Sequence, residues 1–269
     1  MARGSLSIRA MPHFSMPVSL YYSHPVRKVL PGDTLEHAKE LLELHQISAL
    51  AVAEDEKLLG VITRTDLLRV GRRQAGRRRG ADLLVLPNKT VSEAMTANPS
   101  AVGLEDPISH AAKLMLEARV HRVFVCEKGR LVGVLSTRDV MSAIADKRIA
   151  DPITEHASRS VYSVQYDDPV SLATERLEKA HVSGLVVVEN DWPIGIFSQI
   201  EALASRDLPR ETRVEEVLDP AMLCLDVQTP LFRAAAQASA MDVQRILAVD
   251  NRKCVGVVSG LDMVRAAAS

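Results

Sequence analysis

Two short apolar runs joined by a polar turn occur four times along the chain, as LAVAE-DEK-LLGVI, VFVC-EKGR-LVGVL, LVVVE-ND-WPIGIF and ILAVD-NRK-CVGVV. Runs so rich in β-branched residues, broken by turn formers, predict strand hairpins. Ahead of each hairpin the apolar period changes to that of a helix. In the second copy Ile108, Ala111, Ala112, Met115 and Leu116 fall on one helical face. Gly-Asp-Thr, Asp-Pro or Gln-Thr-Pro opens each such stretch, with Pro107, Pro169 and Pro230 expected at the first helical position. A short extended piece stands before it: Arg27 to Val29, Ser100 to Val102, Tyr162 to Val164 and Leu223 to Leu225. After each hairpin a glycine, two apolar residues and a Ser or Thr lead into a second helix, TDLLRV, RDVMSAIA, QIEALAS or LDMVRAA. The unit is therefore β-α-β-β-α, which predicts an α/β (α+β) fold of packed layers.

Aligned on the glycine (Gly60, Gly133, Gly195, Gly256), the four copies coincide without a gap. A β-branched residue stands 42 positions earlier (Val18, Val91, Ile153, Val214), and another aliphatic 25 positions earlier (Leu35, Ile108, Val170, Leu231). Four tandem repeats follow, a periodicity that defines the architecture. The expected organisation is an N-terminal segment, 1–15, then a first pair over 16–149 (repeats 18–72 and 91–147), and a second pair over 150–269 (repeats 153–207 and 214–269). The link between the first two repeats is the long one. Within its insert, 69–82, RVGRRQAGRRRGAD carries six arginines between Arg69 and Arg79. A solvated loop or helix extension is expected there, the alternative being an arm that contacts phosphate or nucleic acid.

Composition narrows the classes. Aromatics make up 3% of the 269 residues, so the core must be aliphatic and stacking platforms for single-stranded nucleic acid are disfavoured. A net charge of −1 gives no bias towards polyanions, and nucleic acid is not the expected partner. The three cysteines lack metal-ligand spacing. Cys126 and Cys254 lie in apolar runs, where buried free thiols of a reducing, cytoplasmic protein are expected. No apolar run reaches a membrane span and the N-terminus has no continuous signal core. The eight histidines are scattered, and no nucleophile, P-loop or metal motif is present. With the repeats occupying nearly the whole chain, neither a catalytic nor a metal site is expected, and the protein is read as a non-enzyme.

The chemistry lies in the corner after each glycine. Thr63/Asp66, Ser136/Asp139, Ser198/Glu201 and Ser259/Asp262 fit a capping box, in which a hydroxyl and an acid satisfy the free N–H groups of a new helix. The same atoms suit a ligand. A helix N-terminus favours phosphate, an ionised Asp accepts hydrogen bonds from the hydroxyls of a ribose, and Arg64 and Arg138 offer charge-assisted contacts. A capping box alone would favour Glu or Gln at the acid position, whereas three copies have Asp.

The four repeats with this corner resemble cystathionine-β-synthase-type (CBS) domains over about residues 16 to 269. The resemblance implies tandem pairs arranged about a pseudo-twofold axis as two Bateman modules. It also implies a regulatory adenosine ligand (AMP, ADP, ATP or S-adenosylmethionine) in the clefts, with no catalytic cofactor. Carried over, copy two offers Ser136, Arg138 and Asp139, with Ser100, Val102 and His121 near base or ribose. Copy one offers Thr63, Arg64 and Asp66 beside Val29, and copy four offers Ser259 and Asp262 beside Leu225. Copy three departs, because the longer Glu201 would crowd a ribose. The implied role is a sensor that changes shape or association with a regulated partner, with homodimerisation through apolar helix faces. A ligand-free scaffold is the alternative.

Overall fold

The computed structural model describes residues 14–75, 82–241, 243–251 and 253–268. Unit one contains β1 (Lys28–Val29), α1 (Leu35–Leu44), β2 (Ala49–Glu54), β3 (Lys57–Thr63) and α2 (Arg64–Val70), followed by a hairpin of β4 (Arg72–Ala75) and β5 (Asp82–Val85). Unit two contributes β6 (Thr96–Ala97), β7 (Ala101–Val102), α3 (Ile108–Ala118), β8 (Arg122–Glu127), β9 (Arg130–Ser136) and α4 (Thr137–Lys147). Unit three has β10 (Ser163–Gln165), α5 (Val170–Ala180), β11 (Gly184–Glu189), β12 (Trp192–Ser198) and α6 (Gln199–Ala204). Unit four has β13 (Leu223–Asp226), α7 (Leu231–Ala240), β14 (Arg245–Asp250), β15 (Lys253–Ser259) and α8 (Gly260–Ala267).

In every unit the short first strand runs parallel to the second, with the helix as crossover, and the second pairs antiparallel with the third. The hairpins close with two-residue turns. Asp55–Glu56, Lys128–Gly129 and Asn190–Asp191 all have positive φ, the twist that matches flanking strands. The α/β repeat architecture expected from the periodicity is thus present four times.

Three details differ from the sequence reading. Pro107, Pro169 and Pro230 are N-caps, and the helix begins one residue later. The arginine-rich insert begins as the end of α2, with Arg69 and Val70, and where it is described beyond that enters the β4–β5 hairpin; Arg77 to Arg79, like residues 1–13, lie outside the described residues. Cys126 and Cys254 are only partly buried, Cys254 at the edge of a small cluster with Val186, Ile196 and Leu247, and Cys224 is exposed.

The units pair by exchanging their leading segments. Val18, Val91, Ile153 and Val214 each begin a 3-10 turn and are 0% exposed. The residues around each turn bond to the sister unit at its helix start: Val18 N–H donates to Asp106 O, Val91 to Asp33 O, Ile153 to Thr229 O and Val214 to Asp168 O. Five residues past each turn's first residue, the segment lies across the sister's third strand. Ser23 bridges to Val134, Thr96 to Val61, Ser158 to Val257 and Asp219 to Ile196. The glycines permit this. A Cβ at Gly60, Gly133, Gly195 or Gly256 would fall on Met95, Tyr22, Leu218 or Ala157 of the crossing segment. Reciprocal exchange makes units one and two one pseudo-twofold module, and three and four another.

The modules meet unequally. Helix α4 packs on α7 and α8, and α3 on α8. One continuous core then joins units two and four through Met141, Ile144, Ala234, Ala238, Met263 and Val264. Alanines on α7 let the axes approach closely. Units one and three keep separate cores. Across that side α2 touches α6, Thr65 Oγ1 donates to Gln199 Oε1 at 2.8 Å, and β5 rests on the turn Ser205–Asp207.

Candidate functional site

All four corners form the capping box. The backbone N–H groups of Thr63, Ser136, Ser198 and Ser259 donate to the acid three residues on at 2.7–3.0 Å, and their hydroxyls reach the same oxygen at 2.5–2.7 Å. Behind them α4 runs 11 residues and α8 8, against 7 for α2 and 6 for α6. The dipole available to an anion is therefore better developed in copies two and four.

The second carboxylate oxygen distinguishes the copies. In copies one and four it receives an arginine one turn on, Arg69 Nη2 to Asp66 at 2.7 Å and Arg265 Nη1 to Asp262 at 2.8 Å. In copy two the Ser23 hydroxyl, from the crossing segment of unit one, donates to Asp139 Oδ1 at 3.0 Å. An aliphatic hydroxyl on a carboxylate is the bond a ribose hydroxyl would make there.

Two arginines occupy equivalent places near the pseudo-twofold axes. Arg122 opens β8 opposite Ser136, and Arg245 opens β14 opposite Ser259. Each reaches across to a serine of the sister unit: Arg122 Nη2 donates to Ser48 Oγ, and Arg245 Nη2 to Ser183 Oγ at 2.7 Å. Neither has a carboxylate within salt-bridge distance among the described residues. Burial lowers both guanidinium groups to about 10, for Arg122 with added repulsion from Arg64 and Arg138. Both are half-buried, and the charges of Asp139 near Arg122 and Glu201 near Arg245 offset the burial only in part, so both are disposed to accept an anion.

Arg245 opens onto a cleft of about 1570 Å³ between the modules, on the side where units one and three keep separate cores. Ser259, Asp262 and Arg265 of copy four line it together with Thr65 and Arg69 of unit one and His121 of unit two. His121, expected beside copy two, thus faces the cleft of copy four. Burial, with Arg122 and Arg245 nearby, lowers its pKa to about 4.

The other residues expected at the site divide. Thr63, Ser136 and Asp139 are half-buried at their corners, and Arg138 is exposed beside Asp139. Arg64 is 1% exposed and its Nη2 donates to the Leu42 carbonyl at 2.9 Å. Val29 and Val102 are buried in the cores of their own units, a burial that commits their side chains to packing. Leu225 packs partly against the same core as Val102, and the Ser100 carbonyl accepts the Phe124 N–H. The sequence reading missed Arg122, Arg245, Ser48, Ser183 and Ser23. The two arginines recur 11 positions before the glycine in copies two and four, and the serines Ser48 and Ser183 recur 12 before it in copies one and three. The signal was available in the alignment, but it makes sense only once sister units face each other. Among the described residues no cluster of His, Cys, Asp or Glu could hold a metal, and no helix is long and apolar enough to cross a membrane.

The CBS-domain family model matches residues 18–73, 91–146 and 153–205. The fourth unit lies outside those matches and is recognised by its fold. Inosine-5'-monophosphate dehydrogenase of Korarchaeum cryptofilum is 32% identical over 113 residues, covering 42% of this chain and 21% of that enzyme. A 33.4 kDa protein in a ribosomal RNA operon of Thermofilum pendens is 26% identical over 203 residues, covering 70% of this chain and 63% of that protein. Among solved structures, a Methanocaldococcus jannaschii protein described as a candidate archaeal homologue of g-AMPK has a TM-score of 0.78 at 18% identity, covering 93% of this chain and 99% of that one.

Proposed function

This chain belongs to the CBS-domain family, and from that premise we propose that it is a regulatory protein that binds an adenine nucleotide between its repeats. The observation that carries the reading is the pair Arg122 and Arg245. Each is held near a module axis opposite a corner serine, bonded to a serine of the sister unit and to no carboxylate among the described residues. A phosphoryl group supplies the charge these arginines lack. The motif aspartates would exchange their present partner for ribose hydroxyls, Ser23 leaving Asp139 and Arg265 leaving Asp262. Copies two and four, with the longer helices behind them, are the leading sites. Copy one is weaker because Arg64 faces inward, and copy three is the poorest because of Glu201.

The cleft at copy four is lined from both modules, so a ligand there would favour one arrangement of the modules over another by its differential affinity. That shift is the signal passed to a partner, whether a second copy or a regulated protein. The role is regulatory rather than catalytic.

Thermal denaturation of the full chain with AMP, ADP, ATP and S-adenosylmethionine tests this. Ligand at a hundredfold its Kd should stabilise by about 2.7 kcal/mol, and Asp139→Ala should remove part of the shift while Glu201→Ala retains it. Absence of any shift with all four at millimolar concentration ends the reading.

A further inference from the structure

At the junction of units one, three and four, two guanidinium groups face one acid. Arg64 is 1% exposed, and its Nε and Nη1 have no hydrogen-bond partner among the described residues. Across the module boundary Thr65 bonds Gln199, which brings the start of α6 against the start of α2. Glu201 lies in that first turn of α6. Its Oε2 receives the Ser198 N–H and hydroxyl, while Oε1 has no partner among the described residues.

Ser198 pairs in register with Gly184, and the guanidinium of Arg245 lies over Gly184 so closely that a Cβ there would come within 2.5 Å of its Cζ. The acid is thus flanked by Arg64 of the first module and Arg245 of the second. Burial lowers both guanidinium groups, and the Glu201 charge opposes that lowering in each, with Glu43 adding to it at Arg64. The other three copies carry Asp here, one methylene shorter.

We propose that Glu201 is a resident anion. It fills the position where copy three would hold a ligand's ribose, partly compensates Arg64 and Arg245, and makes the inter-module cleft select nucleoside monophosphates over polyphosphates. For nucleotides this rests on the function proposed above; for inorganic polyanions it does not. Arg245 lines the cleft, so any anion entering it meets a cation already shared with Glu201.

Titration calorimetry on the full chain and on E201Q, with adenosine, AMP, ATP and inorganic tripolyphosphate, tests the assignment. Gln keeps an oxygen for the α6 cap and removes only the charge. Tripolyphosphate and ATP should bind roughly tenfold tighter to E201Q, AMP should gain less, and adenosine should not change. The gain should vanish when Arg245→Gln is added. An unchanged or weaker tripolyphosphate affinity in E201Q overturns the proposal, as does a gain for adenosine equal to that for ATP. If E201Q does not fold, E201D decides, because it withdraws the charge by one methylene. A smaller gain for tripolyphosphate is then expected, and no gain overturns the proposal. If no adenine compound binds any variant while E201Q gains tripolyphosphate, the nucleotide reading falls and the resident anion stands.

Discussion

His121 carries two consequences. It lines the copy-four cleft, where burial together with Arg122 and Arg245 depresses its pKa from 6.5 to about 4. Between those values the unfolded chain binds a proton that the folded chain does not. The stability held by neutral His121 is therefore complete above about pH 6.5 and declines as the pH falls towards 4. The whole effect is on the order of 3 kcal/mol. Urea titrations at pH 7 and pH 5 should show His121→Gln losing less stability on acidification than the parent; an equal loss would place the titration elsewhere. Sequence alone placed His121 beside copy two, where its carbonyl accepts the Thr137 N–H; that it also lines the cleft of copy four was not legible. Its own β8 belongs to unit two, and only the packing of α3 and α4 on α7 and α8 brings it beside Arg245.

At the level of elements, the device that makes a module is the leading segment laid on the sister unit. Gly195 shows what it requires. A Cβ there would stand 2.8 Å from the Asp219 carbonyl oxygen, which also accepts the Ile196 N–H at 2.8 Å. Gly195→Ala must therefore push the segment away or strain β12, and should cost about 1–3 kcal/mol, read from the urea midpoint of the unliganded chain. Alanine at Gly32, which has open space around it, is the control and should cost much less. The element sequence β-α-β-β-α was legible because strands, helices and caps are written in local periodicity and turn chemistry. The β4–β5 hairpin was not. Its arginines pattern like a solvated run, whereas its rest on the turn Ser205–Asp207 is a contact between distant parts of the chain.

Across the whole molecule, the two sides of the module boundary differ in strength. Units two and four share a core, whereas units one and three meet through short helices and the Thr65–Gln199 bond. Burial concentrated on one side predicts a hinge there and opening on the other. In hydrogen exchange, amides of α4, α7 and α8 should open only with global unfolding, while those of α2 and α6 should exchange through a cheaper local opening that ligand suppresses. Uniform protection of all five helices would refute the hinge. On the function proposed above, a ligand in the copy-four cleft would touch both sides of this opening.

The sequence by itself determined the repeat, the order of elements, the capped corners and the family. Each of these depends on residues close along the chain or on a fixed spacing between copies. Tertiary structure alone decided which corners share a cleft, that Val29 and Val102 belong to cores, that Arg64 is buried, and that Glu201 lies between arginines of two other units. Those facts depend on which faces of distant helices meet. That choice is made by the small side chains of α7 and α8 and by the crossing segments, and no local pattern records it.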